Sequence, residues 1–242
     1  MAALRRWLLL TLLALLLLQL FFIGRIALAL WVNPQSTTFQ RSELWRLAAQ
    51  GKNPHWQQTW RPYAQLGDPL KRAVIASEDD DFVNHDGVEW EAIEQAWRKN
   101  AAAEQDAARR AEQNKPARPL RIVGGSTITQ QLAKNLFLSG ERTLLRKGQE
   151  LMLTYALERL LSKQRILEIY LNSVEWGEGV FGAEAAAQHY FGKSAAQLSP
   201  WQAARLAVML PRPKYFEKLP NSSYLAHRAQ VIAQRMAAVE LP

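Results

Sequence analysis

The chain has 242 residues and a formal net charge of +8, and it contains no cysteine. This length suits one membrane anchor and one domain of ordinary size, with little room for a second catalytic unit. The missing cysteines exclude disulfides and thiolate chemistry, and the positive charge favours an anionic partner such as a lipid head group or a phosphorylated substrate.

The N-terminus has the features of a membrane anchor. Arg5 and Arg6 precede an apolar run over residues 7–23, which continues over residues 26–32. The combined length is sufficient to span a bilayer. Arginines before the run predict a cytoplasmic N-terminus and an external domain. Such a domain would seldom meet nucleic acid, the other common partner of a basic chain.

A cleaved signal peptide is the alternative for this segment. Ala27-Leu28-Ala29 resembles a small-x-small cleavage site. However, the leucine-rich run is longer than the roughly 7–15 residues of a typical signal core. A retained anchor is therefore the favoured prediction.

Residues 33–68 are predicted to be a juxtamembrane connection with short helices, because prolines and polar residues are scattered through them. Four tryptophans lie in or just before this segment, as expected for a surface at the lipid interface. Core packing explains some of them equally well. They are Trp31, Trp45, Trp56 and Trp60.

Residues 78–87 combine four consecutive acids with an aromatic residue, a histidine and a glycine. A helix predicted over Pro69 to Ser77, with Asp68 as its N-cap, places Glu78 at its end. Crowding and partial burial raise the pKa of a carboxyl group, which makes it a usable base near neutral pH. The alternative is a solvated acidic turn that caps the next helix.

Residues 124–135 form a second polar segment. Two glycines, a serine and Thr127 predict a flexible lead-in and an N-cap for a helix that begins near Ile128. Thr127, Gln131 and Lys134 then share one helical face. Together with the free N–H groups of the helix N-terminus, this face suits an anionic or sugar ligand. An amphipathic helix with a solvated side is the alternative.

Arg142, Arg146 and Glu150 follow at four-residue steps, with Lys147 beside them. An Arg–Glu pair at this spacing is commonly a surface pair worth roughly 0.2–0.5 kcal/mol. The functional alternative is a cationic cluster that binds a phosphate group, with bidentate contacts from arginine. The four histidines do not have the spacing of a metal site, and the sequence has no glycine-rich phosphate loop.

The remaining segments are also helical in pattern. Residues 101–120 predict a solvated helix that runs into a flexible loop. From residue 144 to 161, apolar residues recur along one broad side; they are Leu144, Leu145, Leu151, Met152, Tyr155 and Leu160. Further helices are predicted over 166–171, 183–190, 200–210 and 224–239. Because no stretch alternates with period two, we predict an all-α fold with two lobes around a cleft.

The polar segments together form an ordered set of motifs over roughly residues 63–217. They are Glu78-Asp79-x-x-Phe82-x-x-His85-x-Gly87, Gly124-Gly125-Ser126-Thr127-Ile128-Thr129-Gln130-Gln131-x-x-Lys134-Asn135, Arg146-Lys147-x-x-Glu150, Lys163-x-x-Ile166-Leu167-Glu168-x-Tyr170-Leu171-Asn172, and Gly182-x-Glu184-Ala185-Ala186-Ala187 through Phe191-Gly192-Lys193. This set resembles the peptidoglycan glycosyltransferase family, whose domain also forms the N-terminal half of bifunctional penicillin-binding proteins.

The resemblance implies a lysozyme-like fold, with a larger helical lobe and a small hydrophobic lobe that touches the membrane. It divides the chain into an anchor (1–32), the connection (33–68) and a glycosyltransferase domain (69–242), as in the monofunctional members without a transpeptidase domain. Two departures from the family pattern are visible. Glu89 stands where Asp is common, and residues 101–120 are longer than the usual connection.

The implied reaction is polymerisation of lipid II. The 4-hydroxyl of the lipid II GlcNAc attacks the anomeric carbon of a growing glycan linked to undecaprenyl pyrophosphate, with inversion. The resemblance makes Glu78 the general base. Glu150 is assigned to the catalytic residues together with Glu78, and it would orient cations or hold a divalent ion. The resemblance also assigns substrate binding to three groups of residues. Lys134, Arg146 and Lys147 would contact the pyrophosphate, and Thr127, Gln131 and Asn135 would position the donor. Asp79, Phe82 and His85 would shape the site around the first motif.

The implied partners are lipid II, the nascent glycan strand, membrane lipid and other cell-wall synthesis proteins, without nucleic acid. No cofactor requirement follows from the sequence beyond a divalent cation near the pyrophosphate. The implied location is the bacterial inner membrane, crossed once, with a periplasmic domain. Two rivals remain: a hydrolase of the same architecture, which would usually need paired carboxylates, and a non-enzymatic anchored scaffold.

Overall fold

The computed structural model describes residues 1–51, 56–113, 124–141 and 143–242. The α-helices in these residues are α1 (Ala2–Leu28), α2 (Thr38–Ala49), α3 (Asp68–Glu78), α4 (Trp90–Glu112), α5 (Ile128–Phe137), α6 (Leu144–Leu160), α7 (Lys163–Ser173), α8 (Ala183–Phe191), α9 (Pro200–Met209), α10 (Pro213–Glu217) and α11 (Ser223–Arg235). Short 3₁₀ turns cover Tyr63–Gln65, Ala195–Gln197 and Met236–Ala238. The predicted all-α class is confirmed.

One small sheet was not predicted. Its strands β1 (Gln57–Gln58), β2 (Glu175–Gly177) and β3 (Val180–Phe181) have the order β1-β3-β2, with β1 parallel and β2 antiparallel to β3. β2 and β3 are fully buried. Because strands of two or three residues buried on both faces do not alternate in polarity, period-two patterning gives no signal for them.

The helices form two packed groups. In the first, α3 packs against α9 and α11; in the second, α5 packs against α2, α6 and α7. The first group is centred on the apolar side of α3, where Leu70, Val74 and Ile75 are at most 1% exposed. The C-terminus of α3 meets the side of α5 in the second group, so the residues at the end of α3 lie between the two groups.

The start of α3 corrects one prediction. Gly67, not Asp68, is the N-cap residue, and Asp68 lies in the first helical turn, where its carboxylate pairs with Lys71 at 2.6 Å. A Cβ at Gly67 would lie 2.9 Å from the carbonyl oxygen of Ala195. This close backbone approach requires glycine immediately before the helix, and Asp68 therefore falls one position inside it.

The segment predicted as a connection is bonded to α7. Gln40 donates to the carbonyl of Ser173 (3.1 Å), and the backbone N–H of Tyr63 donates to Glu168 (2.8 Å). Trp31 and Trp45 are 79% and 78% exposed, whereas Trp60 packs against the core. The boundary at residue 69 stays a prediction.

Helix α4 continues to Glu112 with a largely exposed surface, as predicted for its solvated part, while residues 114–120 lie outside the described residues. On α6, the predicted apolar side faces outward over its first part, whereas Leu160 at its end packs against the core. Leu144 and Leu145 are 93% and 90% exposed, and Met152 is 56% exposed. The inward side of α6 carries Leu153 and Leu157.

Helix α1 has the length and composition of a membrane span. Its most apolar stretch has a mean hydropathy of 2.5, and none of that stretch is buried against the rest of the chain. A signal sequence has the same properties, so this helix does not by itself separate an anchor from a signal peptide. Its C-terminal part does contact the domain, where Ile26 is fully buried.

Candidate active site

Glu78 is the last residue of α3, and its partly buried carboxylate points towards α5. Gln131 donates from Nε2 to Glu78 Oε2 at 2.9 Å, while Ser77 makes a longer contact of 3.4 Å to Oε1. Burial raises the pKa of Glu78, and the neighbouring charge of Asp79 adds to that rise. The bonds from Gln131 and Ser77 and the charge of Lys134 oppose it.

The amide of Gln131 is itself held in place. The hydroxyl of Tyr170, on α7, donates to Gln131 Oε1 at 3.0 Å. Tyr170 is fully buried, and burial raises its pKa well above the usual value, so the phenol stays protonated and able to donate. Because this contact uses the amide oxygen, the NH₂ group of Gln131 faces Glu78.

Asp79 uses both carboxylate oxygens within the fold. Oδ1 lies 2.8 Å from His85 Nε2, and Oδ2 accepts from the backbone N–H of Ile128 at 2.9 Å. His85 Nδ1 accepts from the N–H of Gly87 at 3.0 Å, so Nε2 carries the proton that is donated to Asp79. Asp79 therefore joins the first motif to the N-terminus of α5.

Thr127 completes this junction. Its hydroxyl accepts the N–H of Gln130 as the N-cap of α5, as the sequence predicted, and donates to the carbonyl of Gly87 at 2.6 Å. Gly87 has φ +83°, and a Cβ there would lie 2.7 Å from side-chain atoms of Thr154 and Glu158. The turn therefore needs glycine both for its backbone and for its contact with α6.

Phe82 and Lys163 form the next layer. Phe82 is fully buried, and Lys163 Nζ lies 4.6 Å from its ring centroid. Lys163 also donates to the carbonyl of His85 (2.5 Å) and pairs with Glu158 (2.9 Å). These contacts fix the turn that follows Glu78 without contacting Glu78 itself.

The third motif lies on α6 as a cluster that shares one carboxylate. Arg146 Nη1 lies 2.7 Å from Glu150 Oε2, and Lys147 Nζ lies 2.5 Å from Glu150 Oε1. Glu150 is 3% exposed. Arg146 Nε is buried without a hydrogen-bond partner among the described residues. Arg142, predicted to belong to this cluster, lies outside the described residues.

Lys134 and Asn135 follow Gln131 on α5. Lys134 is partly buried and its charge acts on Glu78, which places it on the same side of the site. Asn135 is buried, at 8% exposed. The structure thus joins Glu78, Asp79, His85, Thr127 and Gln131 by direct contacts or shared partners. Arg146, Lys147 and Glu150 form a separate cluster.

A cavity of about 210 Å³ opens beside Glu78. Its wall includes Glu89, Gln95 and the backbone of Gly125, and its edge includes Arg235, which pairs with Asp80 at 2.5 Å. The pKa of Glu89 is raised by burial and by the charges of Asp79 and Asp80. The cavity therefore places open space next to Glu78 and Glu89.

The transglycosylase family model matches residues 46–237, which is most of the chain. The chain belongs to the transglycosylase family. The biosynthetic peptidoglycan transglycosylase of Paraburkholderia phytofirmans is 55% identical over 93% of the chain and 87% of that relative. Those of Paraburkholderia xenovorans and Burkholderia thailandensis are each 54% identical over 93% of the chain, and over 87% and 82% of the relatives. The lysozyme-like class that the motifs implied is confirmed.

Sequence reasoning missed three residues of this transglycosylase site. Tyr170 and Lys163 were recognised as parts of the fourth motif but received no role, and Glu158 was not singled out. Each makes a contact outside its own helix: Tyr170 with Gln131, 39 residues away, and Lys163 with the turn at His85, 78 residues away. Glu158 accepts from Thr129, 29 residues away, and pairs with Lys163 in the next helix. Spacing within one helix carries no signal for such contacts.

The described residues include no cluster of three or more acidic or histidine side chains that could hold a metal ion. Both oxygens of Glu150 already contact cationic side chains. A divalent ion at Glu150 would therefore have to share the carboxylate with Arg146 and Lys147. The divalent cation near the pyrophosphate stays a prediction for this transglycosylase.

Proposed function

We propose that this transglycosylase polymerises lipid II into linear glycan strands of peptidoglycan and carries no transpeptidase activity. The growing strand, linked to undecaprenyl pyrophosphate, is the donor, and the 4-hydroxyl of the lipid II GlcNAc is the acceptor. The observation that carries the proposal is the environment of Glu78. It is a partly buried carboxylate with a raised pKa beside a cavity, within the ordered motifs of the family.

Glu78 is proposed as the general base. Its Oε2 accepts the 2.9 Å bond from Gln131, whereas Oε1 makes, among the described residues, only the longer 3.4 Å contact with Ser77. Oε1 is therefore the oxygen proposed to accept the proton. As the acceptor oxygen bonds to the anomeric carbon, its proton passes to Oε1 and the bond to the pyrophosphate oxygen breaks. The raised pKa makes the carboxylate a stronger base while it remains ionised above that pKa.

Arg146, Lys147 and Lys134 are proposed to offset the charge that develops on the departing pyrophosphate. Preorganised cations in a poorly solvated site stabilise such charge because they need not reorganise during the reaction. Within the described residues, the buried Nε of Arg146 has no hydrogen-bond partner, so a small movement of this side chain would let it donate to an anion. Glu150 is proposed to hold Arg146 and Lys147 in position, since both cations contact its carboxylate.

The predicted substrate-binding residues divide into two groups. Asp79, His85 and Thr127 are occupied by contacts within the fold, and Phe82 is fully buried. We therefore propose that these four residues position the site rather than contact the substrate. Gln131 is proposed to orient Glu78, and a donor contact through Asn135 remains part of the proposal.

A hydrolase is the second candidate, and Glu89 is the observation that favours it. Glycoside hydrolysis usually uses two carboxyl groups that flank one bond, and Glu78 and Glu89 line the same cavity. Glu89 also has a raised pKa, as a general acid requires. Against this candidate, the third motif offers cations suited to a pyrophosphate leaving group.

The deciding experiment incubates the detergent-solubilised protein with lipid II and separates the products on a gel. We expect long polymer from the wild type and from Glu89→Gln, and no polymer from Glu78→Gln. Soluble short fragments, lost on Glu89→Gln, would establish the hydrolase instead. If the wild type leaves lipid II unchanged, with or without divalent metal, both the polymerase and the hydrolase would be contradicted, and the non-enzymatic anchored scaffold would remain.

We further propose that α1 is retained as a single-pass anchor in the bacterial inner membrane, with a cytoplasmic N-terminus and a periplasmic domain. Arg5 and Arg6 before the apolar run support this orientation. Membrane lipid, lipid II and the nascent strand are the proposed partners, together with other proteins of cell-wall synthesis. Protease added to intact spheroplasts should digest the domain, whereas a cytoplasmic domain would be protected.

A further inference from the structure

The C-terminal half of α1 is docked on the domain. Ile26 is fully buried in the core, and the rings of Phe22 and Phe137 meet edge to face with centroids 5.5 Å apart. The guanidinium carbon of Arg25 lies 5.5 Å from the Phe137 ring centroid. Arg165 then bonds to the carbonyl of Ala29 at 2.9 Å. The anchor therefore contacts the end of α5 and the start of α7.

A reciprocal pair of amides joins α1 to α6. Gln19 Nε2 donates to Gln149 Oε1, and Gln149 Nε2 donates to Gln19 Oε1, both at 2.9 Å. Gln19 and Thr11 are the two polar residues in the run from Trp7 to Ile23. The Thr11 hydroxyl bonds to the carbonyl of Trp7 in its own helix, so Gln19 is the polar side chain of this run that reaches the domain.

The proposed anchor would place this amide pair at membrane depth. At a rise of about 1.5 Å per residue, Gln19 is about 18 Å along the helix from Trp7, inside a hydrocarbon layer of about 30 Å. The exposed apolar surface of α6 at Leu144 and Leu145 fits the same environment. An amide in hydrocarbon needs a partner, and here each glutamine satisfies the other.

We propose that the membrane anchor positions the leaving-group cations of the active site, with Gln19 acting through Gln149. Gln149 directly precedes Glu150, whose carboxylate holds Arg146 and Lys147. The first turn of α6 is exposed to solvent or lipid, so contacts with the domain core fix it weakly. The amide pair supplies a fixed point next to Glu150. This inference rests on the proposed function of the three α6 residues.

The docking is tested first, without reference to activity. Because the chain has no cysteine, Gln19→Cys with Gln149→Cys introduces one reactive pair. In native membranes, a short bifunctional thiol reagent should join this pair within one chain and change its mobility on a gel. Thr11→Cys with Gln149→Cys is the matched control and should not cross-link. Equal cross-linking of the two pairs, or none in the first, would overturn the docking.

The positioning role is tested with Gln19→Leu, Gln149→Leu and the double variant. In the lipid II assay, each single variant should lower kcat about 3- to 30-fold, the range expected for one interhelical polar contact, with KM changed less. The double variant should lose about as much as either single variant, because all three lack the amide pair and the two losses should not add. Thr11→Leu, at a polar position of the same helix that does not reach the domain, should match the wild type.

Binding of inorganic pyrophosphate, measured by calorimetry, separates positioning from loss of structure. Each single variant should bind pyrophosphate more weakly than the wild type, with the melting temperature of the domain unchanged. The inference would be overturned if the single variants matched Thr11→Leu in kcat and in pyrophosphate binding. It would also be overturned if their losses of kcat and binding were accompanied by a proportional fall in melting temperature. A wild type that binds pyrophosphate but makes no polymer would contradict the proposed function and not the docking.

Discussion

The carboxylates of Glu78 and Glu150 are contacted by different kinds of side chain. Glu78 receives neutral donors, Gln131 above all, from a helix that is 53 residues away in sequence. Glu150 receives two cations from its own helix, three and four residues before it. The first arrangement leaves the carboxylate with a raised pKa, whereas the second places two opposite charges against the carboxylate oxygens.

The difference corresponds to the proposed chemistry. A base must give up its negative charge during the reaction, so neutral donors that hold it without neutralising it are suitable. A carboxylate that only holds cations takes up no proton in the reaction, and its two ion pairs keep Arg146 and Lys147 in place. The two carboxylates should therefore respond differently to substitution, to pH and to the loss of their neighbours.

The largest effect is expected for Glu78→Gln. Loss of the general base should lower the rate of lipid II polymerisation by about 10²- to 10⁴-fold. The folded-state pKa of Glu78 is raised, so its contribution to stability is present below the unfolded pKa and is lost as pH rises through the folded pKa. At pH 7 the variant should therefore melt at or above the wild-type temperature. Asp81→Asn, at an exposed neighbouring acid, is the control and should keep full activity.

The next largest effect is expected for Arg146→Ala compared with Lys147→Ala. Loss of Arg146 should lower kcat by about 10²-fold, as for other preorganised groups that stabilise developing charge. The Lys147 side chain is 47% exposed against 16% for Arg146, so solvent screens it more and its loss should cost less. Initial rates at saturating lipid II give the ratio of the kcat values of the two variants. Equal losses would show that the two cations act as one unit.

A smaller effect is expected for Gln131→Leu, which removes the neutral donor to Glu78. This donor lowers the pKa of the carboxyl group, so its loss should raise that pKa further. The rate should then fall about tenfold near neutral pH, and the acidic limb of the pH–rate profile should move to higher pH. An acidic limb that stays in place would contradict the role of Gln131. Glu150→Gln, by contrast, should lower the rate without moving this limb.

The smallest effect is expected for Tyr170→Phe. The variant removes the hydroxyl that orients the Gln131 amide but leaves Gln131 in place. We expect a loss of about two- to fivefold, as for one neutral hydrogen bond, and a shift of the acidic limb in the same direction as for Gln131→Leu. A loss larger than that of Gln131→Leu would mean that Tyr170 acts by another route.

The same contrast explains what the sequence could predict. The contacts of Glu150 lie within one helix, so the spacing of Arg146, Lys147 and Glu150 was enough to place them together. The N-cap at Thr127 was equally local. The contacts of Glu78 depend on how α3, α5 and α7 pack, and the residues between them give no local signal. The sheet was not predicted because its strands are too short to show a pattern. The N-cap position of Gly67 was not predicted because it depends on a tertiary contact with Ala195.

The docking of α1 has a consequence for the membrane itself. The part of α1 beyond Gln19 is fixed to the domain, so only the stretch before it can adapt to bilayer thickness. A thicker or thinner hydrocarbon layer must then be met by tilt of the whole protein or by deformation of the lipid around it. For the proposed anchor, hydrophobic mismatch would therefore change the position of the catalytic cleft relative to the bilayer, and the rate of polymerisation should depend on the acyl chain length of the lipid.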